Sequence, residues 1–168
     1  MPVAAVENGD GRVTNKPKRQ RPDSQLTGMA GEFLVAGKLF KLGYQVSITL
    51  GNAKGVDLFV YNAKTERTFT VQVKTLRAKN CFPVRRENIK KDHIYVFVLL
   101  NGPGEIEEFF VVPGETILKD INRFFGTSYQ REIPSTFPAI NYGPLKEFKD
   151  NWSEFDKFAA PEVCIPGF

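Results

Sequence analysis

The run HIYVFVLL at residues 93–100 constrains the fold of this chain more than any other stretch. After His93 every residue in it is apolar, and the run is shorter than an ordinary helix. A strand of this kind is covered on both faces, which requires packed layers above and below its sheet. The other elements follow from hydrophobic period. Ser24–Leu42 predicts a helix whose apolar side holds Leu26, Met29, Ala30, Phe33, Ala36, Gly37 and Phe40, with Gly43 as its stop. Strands are expected at Tyr44–Leu50, Gly55–Tyr61, Thr68–Thr75 and Glu107–Val112. Pro113 opens a second helix with Ile117, Leu118, Ile121, Phe124 and Phe125 on one face, and Gly126 closes it. A Pro-rich loop spans Ser128–Pro144. A last short helix begins near Asn151, with Glu154 as capping-box partner, and buries Trp152, Phe155 and Phe158. This order describes an α/β sandwich with a mixed sheet.

At 168 residues the chain is the size of one domain with a real core. Residues 1–24 are rich in Gly, Asn, Pro and charge and lack a hydrophobic period, so they read as a disordered basic tail. Residues 25–168 then form a single domain, with an aromatic C-terminal extension from about residue 127. Two cysteines, Cys81 and Cys164, make no disulfide framework, and the lone His93 cannot supply a zinc cluster. No stretch approaches the ~20 apolar residues of a membrane span, and the N-terminus lacks the apolar core of a secretion signal. The expectation is a soluble, cytoplasmic protein with no membrane partner.

Charge is unevenly placed. The net charge is +4, yet residues 74–91 carry Lys74, Arg77, Lys79, Arg85, Arg86, Lys90 and Lys91 against Glu87 alone. Such a segment suits an anionic partner such as a nucleic-acid backbone, and also reads as an ordinary solvated loop.

Polar residues interrupt the hairpin GVDLFVYNAKTERTFTVQVKT at residues 55–75. With the turn centred between Lys64 and Thr65, cross-strand partners have numbers summing to 129, so Asn62 faces Arg67 and Asp57 faces Gln72. Lys74 projects from the same face as Gln72, ~7 Å along the strand. A carboxylate, an amide oxygen and an ammonium therefore meet one small volume, as a hard divalent cation and a water nucleophile require. The competing reading is a cross-strand Asp–Lys pair with a hydrogen-bonded Gln at a sheet edge. On the first helix, Glu32 lies at the margin of the apolar arc, between Leu39 and Ala36, where a carboxylate can look along a buried face.

GEFLVAGKLFKLGYQV, followed by GVDLFVYN and TFTVQVKT, resembles the core of the PD-(D/E)XK nuclease superfamily over residues 26–100. It is most similar to archaeal Holliday-junction resolvases and methyl-directed restriction endonucleases. The resemblance implies a restriction-endonuclease-like three-layer core, a mixed central sheet flanked by helices. It maps Glu32 onto the helix acid, Asp57 onto the main metal ligand, Gln72 onto the second ligand and Lys74 onto the catalytic lysine. The backbone carbonyl of Val73 becomes a further ligand, and Glu32 reaches the metal directly or through water. The implied cofactor is Mg²⁺, with Mn²⁺ as substitute, and the implied activity is endonucleolytic hydrolysis of DNA, with a homodimer as the assembly that cuts two strands. Two departures stand out: Val56 replaces the usual Pro before the Asp, and Gln72 stands where Glu or Asp is usual, as in the methyl-directed enzymes.

Arg77, Lys79, Arg85, Arg86, Lys90 and Lys91 are candidates for backbone-phosphate contacts, which set affinity and salt dependence and not sequence choice. GNAKGVD lacks the Lys-Ser/Thr ending of a phosphate-binding loop. His93 reads as a core-edge histidine and Cys81 as a packing residue. Beside the nuclease stand two alternatives: a weak or inactive nuclease-fold module that binds nucleic acid, and a protein-interaction domain.

Overall fold

The computed structural model describes residues 24–49, 55–126 and 138–157. The basic tail, most of the Pro-rich loop, Leu50, Phe158 and Cys164 lie outside the described residues. Among these residues the order is α1 (Ser24–Lys41), β1 (Gln45–Ile48), β2 (Leu58–Asn62), β3 (Arg67–Leu76), β4 (Phe82–Pro83), β5 (His93–Leu99), β6 (Glu108–Pro113), α2 (Gly114–Lys119), α3 (Ile121–Phe125), β7 (Ala139–Ile140) and α4 (Tyr142–Leu145). Single 3₁₀ turns occupy Arg86–Asn88, Lys146–Phe148 and Trp152–Asp156.

The main sheet runs β1-β2-β3-β5-β6, and β4 with β7 forms a separate two-stranded ribbon. The hairpin register is the expected one: Asn62 pairs with Arg67 and Leu58 with Val71. All pairings in the main sheet are antiparallel except β3–β5, which sets Gln72 beside Tyr95 and Lys74 beside Phe97. A parallel pair needs a crossover. Here that crossover is the basic segment between Leu76 and His93 together with β4.

Every residue of β5 is buried, as its apolar run requires. One sheet face packs Leu58, Val60, Val71, Val73, Val96 and Val98 against Val35, Ala36 and Leu39 of α1 and against Trp152 and Phe155. The other packs Tyr95, Phe97, Phe110 and Val112 against Phe82, Ile117, Phe124, Ile140 and Leu145. Strand alternation puts Phe59, Gln72 and Lys74 on this second face. Among the described residues its cover does not extend over β2, where Phe59 remains 42 % exposed. That uncovered half-face is the opening in which the polar hairpin residues lie.

Four expectations change. The helix predicted after Pro113 is two short helices, because Asp120 leaves helical backbone (φ −135°, ψ 64°) and its carboxylate caps α3 by accepting from the Arg123 N–H at 3.2 Å. The Pro-rich loop contributes β7 and α4. On α1 the buried side is Thr27, Gly31, Val35, Ala36 and Leu39, while Leu26, Phe33 and Phe40 face outward. Small residues win because α1 approaches β3 closely: a Cβ on Gly31 would lie 1.9 Å from Thr75 Oγ1. Cys81 is exposed, not packed.

The C-terminal turn is pinned to the hairpin. Asn62 donates from Nδ2 to the Phe155 carbonyl at 2.8 Å, and the Tyr44 hydroxyl donates to Asp156 Oδ1 at 2.8 Å. Burial, then the hydrogen bond to the Asp156 carboxylate, pushes the Tyr44 phenol up to about 12. The folded state therefore holds this proton more tightly than the unfolded chain, whose phenol titrates near ~10. Stability from Tyr44 is complete below that pH and declines as pH rises toward 12. Denaturant titrations at pH 9 and 11.5 should show a smaller alkaline loss in Tyr44→Phe than in wild type; equal losses would refute the coupling.

Candidate active site

Asp57 stands just before β2, where the backbone is already turning. Gly55 holds a left-handed φ of 79°, which ends the strand on its N-terminal side and which glycine adopts without strain. The Asp57 N–H donates to the Val71 carbonyl and the Asp57 carbonyl accepts from the Thr49 N–H, both at 2.9 Å. These bonds break the regular ladder one residue before Asp57 would face Gln72. The Asp57 carboxylate reaches further along β3 instead, and its Oδ2 accepts from the Val73 N–H at 2.7 Å. Val71 and Val73 thus turn their backbone polar groups toward the β2 edge, and β2 ends before it can pair with Val73. By strand geometry the Val73 carbonyl lies on that same edge.

Gln72 and Lys74 are half-buried on the opening, two residues apart on β3. A Cβ on Gly55 would stand 3.8 Å from Gln72 Nε2, so the amide reaches back to the loop that carries Asp57. Glu32 joins from α1, one residue after the Gly31–Thr75 contact that presses the helix onto β3 immediately beyond Lys74. Its proton affinity reports the convergence. Burial raises the Glu32 carboxyl above the usual carboxylate range, the Asp57 charge raises it further, and the Lys74 ammonium pulls it back. Three elements therefore bring Glu32, Asp57 and Lys74 within Coulombic reach. Gln72 and Lys74 also line a cavity of about 310 Å³ whose other walls are Pro83, Val84, Arg85, Asn88 and Pro138.

The basic segment is spread across the molecule. Arg85 shares the cavity with Gln72 and Lys74. Arg77 donates from Nε to Thr27 Oγ1 at 2.9 Å, tying the end of β3 to α1. Lys79 sits 3.9 Å from Glu108 and over the Tyr142 ring, and Lys91 pairs with Glu115 at 3.8 Å. Arg86 and Lys90 are exposed. Lys91 precedes β5, whose first residue is level with Thr70, so it lies at the sheet end away from Lys74. Sequence reasoning passed over Thr49, whose hydroxyl donates to the Val56 carbonyl and braces the backbone at Asp57, and Asn88 on the cavity wall. Neither residue carries a recognisable sequence signal.

No family model matches this chain, and no curated protein matches it. Its fold is similar to that of the bacterial homing endonuclease I-Ssp6803I, with a TM-score of 0.51 and 17 % identity over 79 % of this chain and 90 % of that one. The likeness shows a shared α/β fold. Among the described residues no group of three or more His, Cys, Asp and Glu gathers, and no helix is long and apolar enough to cross a membrane. The oxygen donors of this region are the Glu32 and Asp57 carboxylates, the Gln72 amide and, by strand geometry, the Val73 carbonyl. That set fits Mg²⁺, which uses one or two carboxylates and keeps several waters. Burial raises Glu32 most, and the smaller contribution of the Asp57 charge is one that a cation held by both acids would relieve.

Proposed function

We propose that this chain is a metal-dependent endodeoxyribonuclease of the PD-(D/E)XK type, hydrolysing phosphodiester bonds in DNA. The observation that carries the reading is the convergence of Glu32, Asp57 and Lys74 at the open half of a sheet whose fold is shared with a homing endonuclease. Asp57, Gln72 Oε1, the Val73 carbonyl and Glu32 would hold Mg²⁺ or Mn²⁺. When bound, the ion supplies Lewis-acid polarisation of the phosphate and a lower pKa for water.

The chain's own residues do the rest. The Val73 N–H fixes the Asp57 carboxylate, so one ligand needs no reorganisation. Lys74, at the cavity rim, places a positive charge where negative charge grows on the phosphate. Glu32, beside Asp57 and Lys74, would orient the attacking water, whose proton passes to solvent. Arg85 holds a neighbouring phosphate in the cavity and adds salt-dependent affinity. Hydrolysis forms one P–O bond from water and breaks another, and the leaving oxygen takes up a proton.

Gln72 favours a second reading, a nuclease-fold module that holds DNA without cutting it, because an amide contributes no charge to the metal. Duplex and branched DNA incubated with Mg²⁺ or Mn²⁺ decide between them. Wild type should cut, and Lys74→Ala should cut about 10²–10³-fold more slowly, the scale for loss of one preorganised charge. Equal cutting by Lys74→Ala refutes the mechanism, and salt-sensitive binding without cutting establishes the binding module. In the same series Gln72→Glu should tighten Mn²⁺ binding several-fold by calorimetry, and an unchanged affinity removes Gln72 from the ligand set.

A further inference from the structure

Helix α1 carries two apolar faces, and among the described residues the fold uses only one. Leu26, Met29, Phe33 and Phe40 are 61, 39, 52 and 55 % exposed, on the side away from Gly31, Val35 and Leu39. Leu26, Phe33 and Phe40 are seven residues apart, so at about 100° per residue they drift by only about 40° around the axis. Ala30 and Gly37 fall between them. Among the described residues nothing fills the space beside Gly37, as is also true of Gly28, but Gly37 alone of the two lies on the apolar stripe. A Cβ added there meets nothing within 4 Å, whereas Gly31 is required by its contact with Thr75. Glycine within a helix weakens it relative to alanine, so the bare backbone at Gly37 fits a neighbour outside the described chain.

The stripe complements itself. Pack α1 against a second α1, antiparallel about a two-fold axis at Phe33, and facing residues have numbers summing to 66. Leu26 then meets Phe40, Phe33 meets Phe33, and Met29 enters the notch left by Gly37, twice over. The only charges on α1 are Glu32, Lys38 and Lys41, and Lys38 is turned toward the Trp152 ring at 6.0 Å. The stripe itself is uncharged, as the centre of an interface is. Its four large side chains expose roughly 450 Å² of apolar surface per copy, so two copies bury roughly 900 Å² before flanking contacts, close to the ~1,000 Å² a specific interface needs.

We propose that this face is a homodimer interface, its occupant a second copy of the chain joined α1 to α1. The dimer does not depend on the nuclease reading. It does place Glu32, next to Phe33, beside the axis, so the two candidate sites would flank one helix pair.

Sedimentation equilibrium of the full chain from about 1 to about 100 µM reads the association directly. The expected mass is twice 18.9 kDa. Phe33→Glu should give a single-chain mass with unchanged circular dichroism, and Gly37→Leu should weaken association at least about tenfold while keeping helix content. In a Cys81→Ser, Cys164→Ser background, Phe33→Cys should crosslink to itself under mild oxidation, whereas Leu26→Cys alone should not. A single-chain mass for wild type across the range overturns the proposal, as does a dimer that Phe33→Glu leaves intact. Self-crosslinking by Leu26→Cys overturns the antiparallel arrangement. None of these readings uses DNA cleavage, so a failure here is distinct from a failure of the proposed activity.

Discussion

Asp57→Asn should reduce DNA cleavage by about 10³-fold or more, since it removes the central carboxylate of the proposed donor set. The fold should survive the change, because the amide oxygen of Asn can still accept the Val73 N–H that Asp57 Oδ2 accepts at 2.7 Å. A loss of activity alone would not separate a metal ligand from a brace, and Glu32 supplies the second readout. The Asp57 charge is one cause of the raised Glu32 carboxyl, so its removal should lower the Glu32 pKa, while Lys74→Gln should raise it. Carboxyl ¹³C titration by NMR measures both directions without any substrate. The stability signs follow. The folded state holds the Glu32 proton more tightly than the unfolded chain, so the contribution of Glu32 to stability rises as pH falls through its folded pKa. Above that pH its charge costs stability, and Asp57→Asn should recover part of that cost at neutral pH. Cleavage lost with an unmoved Glu32 titration would mean that the two carboxylates do not share a site.

The hairpin register was readable because a turn position and a two-residue period leave one solution, and Leu58 to Asn62 pair as that solution requires. β5 was readable because a continuous apolar run has one way to be buried. The readable part ended where a local pattern had two equal continuations. Helix α1 has apolar residues on two sides, and periodicity favours the side with larger residues. Close approach to β3 selected the side with Thr27, Gly31 and Ala36. The apolar period also runs unbroken across Asp120, so nothing in it marks the capping bond that splits α2 from α3. β4 and β7 are two residues each, too short for a period of any kind. The candidate site residues were picked out by type and spacing, and the way Asp57 is held was not legible. Strict pairing set it opposite Gln72, whereas Gly55 bends the chain and the carboxylate bonds to the backbone of Val73. Charge along the sequence does not carry over directly into charge around the cavity, for a related reason. The crossover between two parallel strands carries its cations from one end of the sheet to the other, and only Arg85 lands in the cavity with Lys74.

Gly31→Ala is the most severe test of how Glu32 is positioned. A methyl group at residue 31 would sit 1.9 Å from Thr75 Oγ1 and 2.9 Å from its Cβ and Cγ2. Thr75 is short, β-branched and held in β3 next to Lys74, so it cannot swing away as a long side chain would. The helix must lift instead, and overpacking of this kind costs about 1–3 kcal/mol. Alanine's better helix propensity offsets up to about 1 kcal/mol of that, so thermal stability should fall modestly. The effect on cleavage should be far larger. Glu32 is the next residue, and a shift of about 1 Å in a positioned group can cost about 10²-fold in rate. Adding Thr75→Ala removes the two outer contacts but leaves Cβ at 2.9 Å, so the double variant should regain part of the stability and part of the rate together. Cleavage that stays at the wild-type rate in Gly31→Ala, with a measurable drop in melting temperature, would show that α1 can lift without moving anything the reaction needs. Glu32 would then have no place in the site.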